Sequence, residues 1–121
     1  MAAKKYVLVI DDDSDVRAIF SRYVSKSGYF VIEASNATTA INTARSMSLH
    51  LIVADIMLPD MNGIELANYL HKKMPEIPVI AVSALDLHNQ KKALTNAGVK
   101  AILKKPVDKD LFVDTIKRHI L

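Results

Sequence analysis

Four aspartates follow two short apolar runs, and their placement points to chemistry at one edge of a sheet. The runs and the acids after them are Tyr6–Ile10 with Asp11, Asp12 and Asp13, and Leu51–Ala54 with Asp55. If both runs are strands of one parallel sheet, their carboxyl ends lie side by side, where open α/β sheets bind ligands. Carboxylates at that distance repel one another, and a hard divalent cation such as Mg2+, which prefers oxygen ligands, offsets the repulsion. We therefore expect an acidic cation site at this edge.

A hydroxyl and an ammonium group follow two later apolar runs. Ser83 comes directly after Val79–Val82, and Lys105 comes shortly after Ala101–Leu103 and immediately before Pro106. A residue before proline is held extended, and the bond before Pro106 is a candidate for the cis form. A hydroxyl donor and a cation beside free carboxylates suit an anionic phosphoryl group, and a carboxylate can itself act as the nucleophile towards phosphorus.

Each of these signals has an ordinary structural alternative. Acids after a strand can cap the next helix and complement its dipole, a strand-end Asp55 can cap a turn, Ser83 can be a loop hydroxyl and Lys105 a surface lysine. Their joint placement after four strands favours a phosphoryl-acceptor site with bound Mg2+. The four histidines are predicted to lie away from this edge as surface or boundary residues, namely His50, His71, His88 and His119.

The elements that must position these residues alternate between two hydrophobic periods. Short β-branched runs predict five strands, at Tyr6–Ile10, Tyr29–Glu33, Leu51–Ala54, Val79–Val82 and Ala101–Leu103, and segments with apolar residues at helical spacing lie between them. Gly28 and Gly98 are predicted to end helices, and Asp108 to begin the last one. The pattern predicts an α/β fold of five βα units, a doubly wound parallel sheet covered on both faces.

Composition limits the classes of protein that need consideration. The chain has 121 residues, no Cys and a net charge of +3. This length suits one domain over residues 1–121, with no effector domain within them. The absence of Cys excludes thiolate chemistry and suits a cytoplasmic location, and no apolar run approaches the roughly 18 residues of a membrane span. The basic residues are spread along the chain, so we expect no direct nucleic-acid binding.

Four segments of the chain resemble the receiver domain of two-component response regulators, over nearly its whole length. They are VLVIDDDSDVR, LIVADIMLPDMNGIEL, PVIAVSA and AGVKAILKKPVD. The resemblance implies a flavodoxin-like strand order of 2-1-3-4-5. It also implies a phosphoryl-accepting switch in a phosphorelay, phosphorylated on Asp55 by a histidine kinase or a phosphotransfer protein. Such a protein is not an enzyme beyond its own phosphoryl transfer and slow self-dephosphorylation.

The resemblance also implies the Mg2+ ligands. Asp12 would bind the ion directly and Asp11 chiefly through water, while Asp55 and the backbone carbonyl of Met57 would complete the protein's share of the ligands. Asp13 matches a position that is usually acidic in the family without being a principal ligand, so it is not included in the set.

The remaining matched positions concern switching. Ser83 would bond the phosphoryl oxygen and Lys105 would pair with it, which would alter the face of the fourth helix, fifth strand and fifth helix for docking by an output partner. Ile102 stands where the family often carries Tyr or Phe, so we expect a muted or different change on this face. Met57 and Leu85 flank the site and cannot orient a water molecule, which predicts slow self-dephosphorylation.

Two alternatives remain beside the switch. One is a docking module with the receiver fold that is never phosphorylated, and the other is a small Asp-dependent phosphohydrolase. Competent residues at every key position argue against the first, and the lack of a clear acid/base partner argues against the second. We expect a monomer or weak dimer with no membrane contact.

Overall fold

A five-stranded parallel sheet forms the centre of the protein in a computed structural model that describes residues 4–121. The strands are β1 (Tyr6–Ile10), β2 (Phe30–Ala34), β3 (Leu51–Asp55), β4 (Val79–Ser83) and β5 (Val99–Lys104). The helices are α1 (Ser14–Lys26), α2 (Ala37–Ser46), α3 (Gly63–Lys73), α4 (Lys91–Asn96) and α5 (Lys109–His119). The strand order is β2-β1-β3-β4-β5, which confirms the predicted fold class and topology.

The strand boundaries differ from the predicted ones by one or two residues. Strand β2 begins at Phe30, one residue later than predicted, because the amide of Tyr29 still bonds the carbonyl of Val24 in the turn that closes α1. Strands β3 and β4 each run one residue further than predicted, since Asp55 and Ser83 continue the parallel ladder. Strand β5 is longer at both ends than predicted. The predicted site residues therefore lie in the sheet or directly next to it.

The apolar core lies on both faces of the sheet, as the continuous apolar runs predicted. Strands β3 and β4 are buried at every position, because each has strand neighbours on both sides and helices above and below. Helices α2, α3 and α4 cover one face through residues such as Ala40, Leu70 and Leu94. Helices α1 and α5 cover the other, where the rings of Phe20 and Phe112 stack with centroids 4.6 Å apart.

Capping residues lie at the ends of several helices, and the predicted Asp108, Gly28 and Gly98 are among them. Asp13, Asn36 and Asp108 are the N-caps of α1, α2 and α5, and each accepts backbone N–H bonds from the first turn. Gly28 and Gly98 adopt φ angles of 95° and 86°, the left-handed region in which glycine is favoured. None of the helices in residues 4–121 has the length and apolar character needed to cross a membrane.

Helix α4 is shorter than the other four helices of residues 4–121. It has 6 residues and follows a 3-10 turn at His88–Gln90, whereas the other helices have 10 to 13 residues. Its N-cap residue, Gln90, makes no side-chain capping bond. A short, uncapped helix covers less of β5 than a full-length helix would, which leaves part of that edge strand open to solvent.

Candidate functional site

The sheet brings the predicted site residues to one edge because each of them ends or directly follows a strand. In the ladders, Ile10 pairs with Ala54, so Asp11 and Asp55 leave β1 and β3 side by side. Ser83 pairs with Lys104 at the end of β4 and β5. The amide of Lys105 then donates to the carbonyl of Ser83 at 2.8 Å, which keeps the lysine next to the hydroxyl residue.

Lys105 joins the two buried carboxylates of the site. Its Nζ lies 2.7 Å from Asp11 Oδ2 and 3.0 Å from Asp55 Oδ2, and both are charge-assisted hydrogen bonds. Asp11 and Asp55 are almost wholly buried, at 1% and 6% exposure, so an unpaired negative charge there would be costly. The ammonium group therefore acts as the internal counter-ion of the acidic cluster. The peptide bond between Lys105 and Pro106 is cis.

Burial and pairing act in opposite directions on the protonation of this cluster. Burial raises the pKa of Asp11 above its usual value, and the hydrogen bond from Lys105 only partly counters it. Burial also acts to lower the pKa of Lys105, but the hydrogen bonds to Asp11 and Asp55 outweigh it and raise that pKa above the ordinary lysine value. The lysine therefore stays charged at neutral pH.

Three carboxylates are placed to share a cation. Asp11, Asp12 and Asp55 each offer an oxygen, and these oxygens all lie within 4.8 Å of one another. Asp12 is exposed, so it borders solvent from which an ion can enter, while the other two form the floor. An all-oxygen set of this kind fits a hard divalent ion such as Mg2+.

The backbone after Asp55 is held by that same carboxylate. Asp55 Oδ1 accepts a hydrogen bond from the amide of Met57 at 2.9 Å, which fixes the chain beside the acceptor residue. Met57 also forms a bridge with Asn62, and the amide of Gly63 donates to the carbonyl of Ile56 at 2.8 Å. A Cβ at Gly63 would collide with the backbone of Ile56, so the tight loop between β3 and α3 requires glycine there.

Ser83 is buried with one hydrogen bond. Its Oγ accepts from the amide of Leu85 at 3.1 Å, and it makes no other side-chain bond among residues 4–121. A serine hydroxyl has one proton to donate, so this proton is available for an anionic group at the site. Met57 and Leu85, the predicted apolar neighbours of the site, are each about half exposed.

Two residues of the site region were not identified from the sequence. Arg17 donates to the carbonyl oxygen of Asp11 at 2.7 Å and pairs with Glu33 at 2.9 Å, so it ties α1 to the end of β1. Its position one turn after the Asp13 cap was the available signal. The side chain therefore supports the backbone from which two of the carboxylates project.

Asp60 is the second missed residue. Its carboxylate accepts the amides of Ala37 and Thr38, each at 2.9 Å, and the hydroxyl of Thr38 at 2.8 Å. These bonds hold the loop between β3 and α3 against the first turn of α2, and the backbone bonds lower the pKa of Asp60. The histidines lie off the carboxylate cluster, as predicted; His50, for example, accepts from the amide of Tyr6 at the opposite end of the sheet.

Comparisons with known proteins point to one family. The family model of the response regulator receiver domain matches residues 7–117. The polar-differentiation response regulator DivK of Brucella anthropi is 30% identical over 118 residues, which span 96% of each protein. A cyclic di-GMP phosphodiesterase of Thermotoga maritima is 36% identical over 105 residues, which make up 87% of this chain and 28% of that protein.

Solved structures show the same architecture. A CheY-like response regulator receiver domain protein from Methanospirillum hungatei has 29% sequence identity and a TM-score of 0.92, over 96% of this chain and 93% of that one. The response regulator TrrA of Thermotoga maritima, solved in complex with Mg(2+)-BeF, has 23% identity and a TM-score of 0.86, over 96% of this chain and 99% of that one.

Proposed function

Because the chain belongs to the response regulator receiver family of two-component systems, we propose that it is a phosphoryl-accepting switch whose acceptor is Asp55. The observation that supports this most directly is the pairing of Asp55 with Lys105 at 3.0 Å inside a cluster of three carboxylates. The donor would be the phosphohistidine of a histidine kinase or a phosphotransfer protein. We take the receiver domain to span residues 1–121 and the protein to be cytoplasmic, as a monomer or weak dimer.

Phosphoryl transfer to this site would form one bond and break another. A carboxylate oxygen of Asp55 attacks phosphorus, and the bond between phosphorus and the histidine nitrogen of the donor breaks. Asp11, Asp12, Asp55 and the carbonyl of Met57 would hold Mg2+, as the Mg(2+)-BeF complex of TrrA encourages us to propose. When bound, the ion supplies positive charge that neutralises the phosphoryl oxygens.

Lys105 and Ser83 would respond to the new anion. Lys105 is already within hydrogen-bond distance of Asp55, so a small movement of its ammonium group would let it pair with a phosphoryl oxygen on that residue. Ser83 would donate its hydroxyl proton to a second phosphoryl oxygen. This hydrogen bond would draw the start of the segment after β4 towards the site. A shift in the equilibrium of this segment would alter the face made by α4, β5 and α5, where an output partner would dock.

The test is modification by acetyl phosphate with and without Mg2+, read by intact mass. The wild-type protein should gain one phosphoryl group only when Mg2+ is present, and the Asp55→Asn variant should gain none. Asp15→Asn, an exposed acid of α1, is the matched control and should react like wild type. Beryllofluoride titration followed by NMR gives a second readout of the same site.

Two results would overturn the proposal. Equal modification of wild type and Asp55→Asn would place the acceptor elsewhere. No modification and no Mg2+-induced shift would instead favour a docking module with the receiver fold that acts without phosphorylation.

A further inference from the structure

Of the three clustered carboxylates, that of Asp12 depends most on the backbone for its direction. Asp11 and Asp55 are buried, and both accept a hydrogen bond from Lys105. The carboxylate of Asp12 is exposed and receives no hydrogen bond from residues 4–121. Its direction is therefore set by the peptide units on either side of it, and whatever fixes those units prepares the third oxygen ligand of the cluster.

Two hydrogen bonds hold the chain on either side of Asp12. Arg17 Nη1 donates to the carbonyl oxygen of Asp11 at 2.7 Å, which fixes the peptide unit before Asp12. The amide of Asp13 donates to Asp11 Oδ1 at 2.9 Å, which fixes the peptide unit after it. The bond from Arg17 is charge-assisted, so its loss should release the chain at the entrance to the cluster.

Glu33 holds the guanidinium group in place for this bond. Arg17 Nε lies 2.9 Å from Glu33 Oε1, while Nη1 of the same group bonds the carbonyl of Asp11. Because the guanidinium is planar and rigid, a fixed direction towards Glu33 also fixes its direction towards the carbonyl. Glu33 lies on β2, in register with Val9 of β1, and Arg17 lies near the start of α1. One side chain therefore ties a helix and a neighbouring strand to the end of β1.

We propose that Arg17, oriented by Glu33, is a positioning residue that sets the affinity of the acidic cluster for Mg2+. Its guanidinium bonds a backbone carbonyl and not a carboxylate of the cluster, so it acts through the direction of Asp12. The inference rests on the proposed function, since it concerns the metal site that phosphoryl transfer to Asp55 would use.

Charge alone predicts the opposite effect of Arg17 on the metal site. A positive side chain beside the cluster repels Mg2+, so removal of its charge would tighten Mg2+ binding if Coulomb repulsion were its main effect. Positioning predicts weaker binding instead, because Asp12 loses its fixed direction. Glu33 offsets the charge of the guanidinium, which reduces the repulsion that Arg17 brings. The sign of the change in affinity therefore separates the two roles.

The experiment is a Mg2+ titration of the full chain, followed by NMR without a phosphodonor. Arg17→Met should weaken Mg2+ binding by about tenfold, and the amide shifts of Asp12 and Asp13 should already differ from wild type in EDTA. Arg17→Lys keeps the charge but lacks the planar fork, so it should not restore wild-type affinity. Glu33→Gln should weaken binding by about threefold. Arg22→Met, which removes an exposed cation of α1, is the matched control and should bind Mg2+ as wild type does.

Unchanged or tighter Mg2+ binding by folded Arg17→Met would overturn the inference, since the guanidinium would then affect only stability or charge. Full affinity in Arg17→Lys would also overturn it, because the fork would not be needed. Circular dichroism shows whether the variants fold, and Glu33→Gln, which keeps Arg17, decides the matter if Arg17→Met does not fold. A wild-type protein that binds no Mg2+ would overturn the proposed metal site as well, whereas equal binding by wild type and variants overturns this inference alone.

Discussion

Asp60 Oδ2 accepts two hydrogen bonds from Thr38, one from the backbone amide at 2.9 Å and one from the hydroxyl at 2.8 Å. The two residues belong to different βα units, and the contact holds the loop after the proposed acceptor against the N-terminus of α2. A carboxylate at this end of a helix also complements the helix dipole. Asp60 therefore stabilises the loop that carries Met57 without contacting the carboxylate cluster.

This contact predicts a defined dependence of stability on pH. Hydrogen bonds from the backbone amides of Ala37 and Thr38 lower the pKa of Asp60 from its ordinary value of 3.8. The stabilisation of the fold by this carboxylate is therefore fully present above pH 3.8 and is lost as the pH falls through the lowered pKa. Asp60→Asn should have a lower melting temperature than wild type at pH 7, and the difference should shrink below pH 4. Glu76→Gln, an exposed acid outside the contact, should show no such pattern. A constant difference from pH 7 to pH 2.5 would contradict this account.

Removal of Lys105 should leave two buried carboxylates without their counter-ion. We expect Lys105→Met to lower the free energy of unfolding by about 2–3 kcal/mol in the absence of Mg2+ and to lose less when Mg2+ is present. Phosphorylation by acetyl phosphate should slow by at least about tenfold, because the charge that meets the phosphoryl group is gone. Chemical denaturation and intact mass measure the two effects, with Lys109→Met at an exposed position as control.

An unchanged stability of Lys105→Met in the absence of Mg2+ would mean that solvent already screens Asp11 and Asp55. That result would contradict the interpretation of Asp11 and Asp55 as buried charges that need a counter-ion.

Asp12 offers a test of metal binding that spares the core, because its side chain is exposed. At a hundred times the Kd, Mg2+ should raise the free energy of unfolding of wild type by about 2.7 kcal/mol. If Asp12→Ala weakens binding tenfold, the same concentration gives it only about 1.4 kcal/mol. Asp15→Ala should behave as wild type in both conditions. Thermal unfolding with EDTA and with Mg2+ provides the measurement, and an equal Mg2+ response in Asp12→Ala would remove Asp12 from the ligand set.

Met57 and Leu85 predict a long-lived acyl phosphate. Both side chains are exposed beside the site, and neither can hold a water molecule in line with phosphorus. We expect Met57→Gln with Leu85→Gln to shorten the phosphoryl half-life by about tenfold or more, since each amide can orient water. Leu111→Gln, at an exposed apolar position of α5, should leave the half-life unchanged. Loss of the phosphoryl mass over time measures the rate, and a wild-type half-life of seconds would refute the prediction.

The strand order was predicted from the family resemblance, whereas the grouping of the proposed site residues was predicted from the strands themselves. Asp11, Asp55 and Ser83 end or follow strongly apolar strands, and a parallel sheet places such positions together whatever their separation along the chain. The contact of Asp60 with Thr38 could not be predicted in this way, because it depends on how a loop docks against a neighbouring helix. The short length of α4 could not be predicted either, since residues such as Lys91 and Leu94 are compatible with a helix of any length.

The contact between Lys105 and Asp11 joins residues that are 94 positions apart, and the contact with Asp55 spans 50. Contacts of such long range close late in folding, because the entropy of the intervening loop must be lost first. A chain still on the ribosome, synthesised as far as β4, already carries every carboxylate of the cluster but has no lysine to offset them. Strand β5, which completes the sheet, therefore also brings the lysine that completes the cluster, and the proposed phosphoryl-accepting site forms only once the sheet is whole.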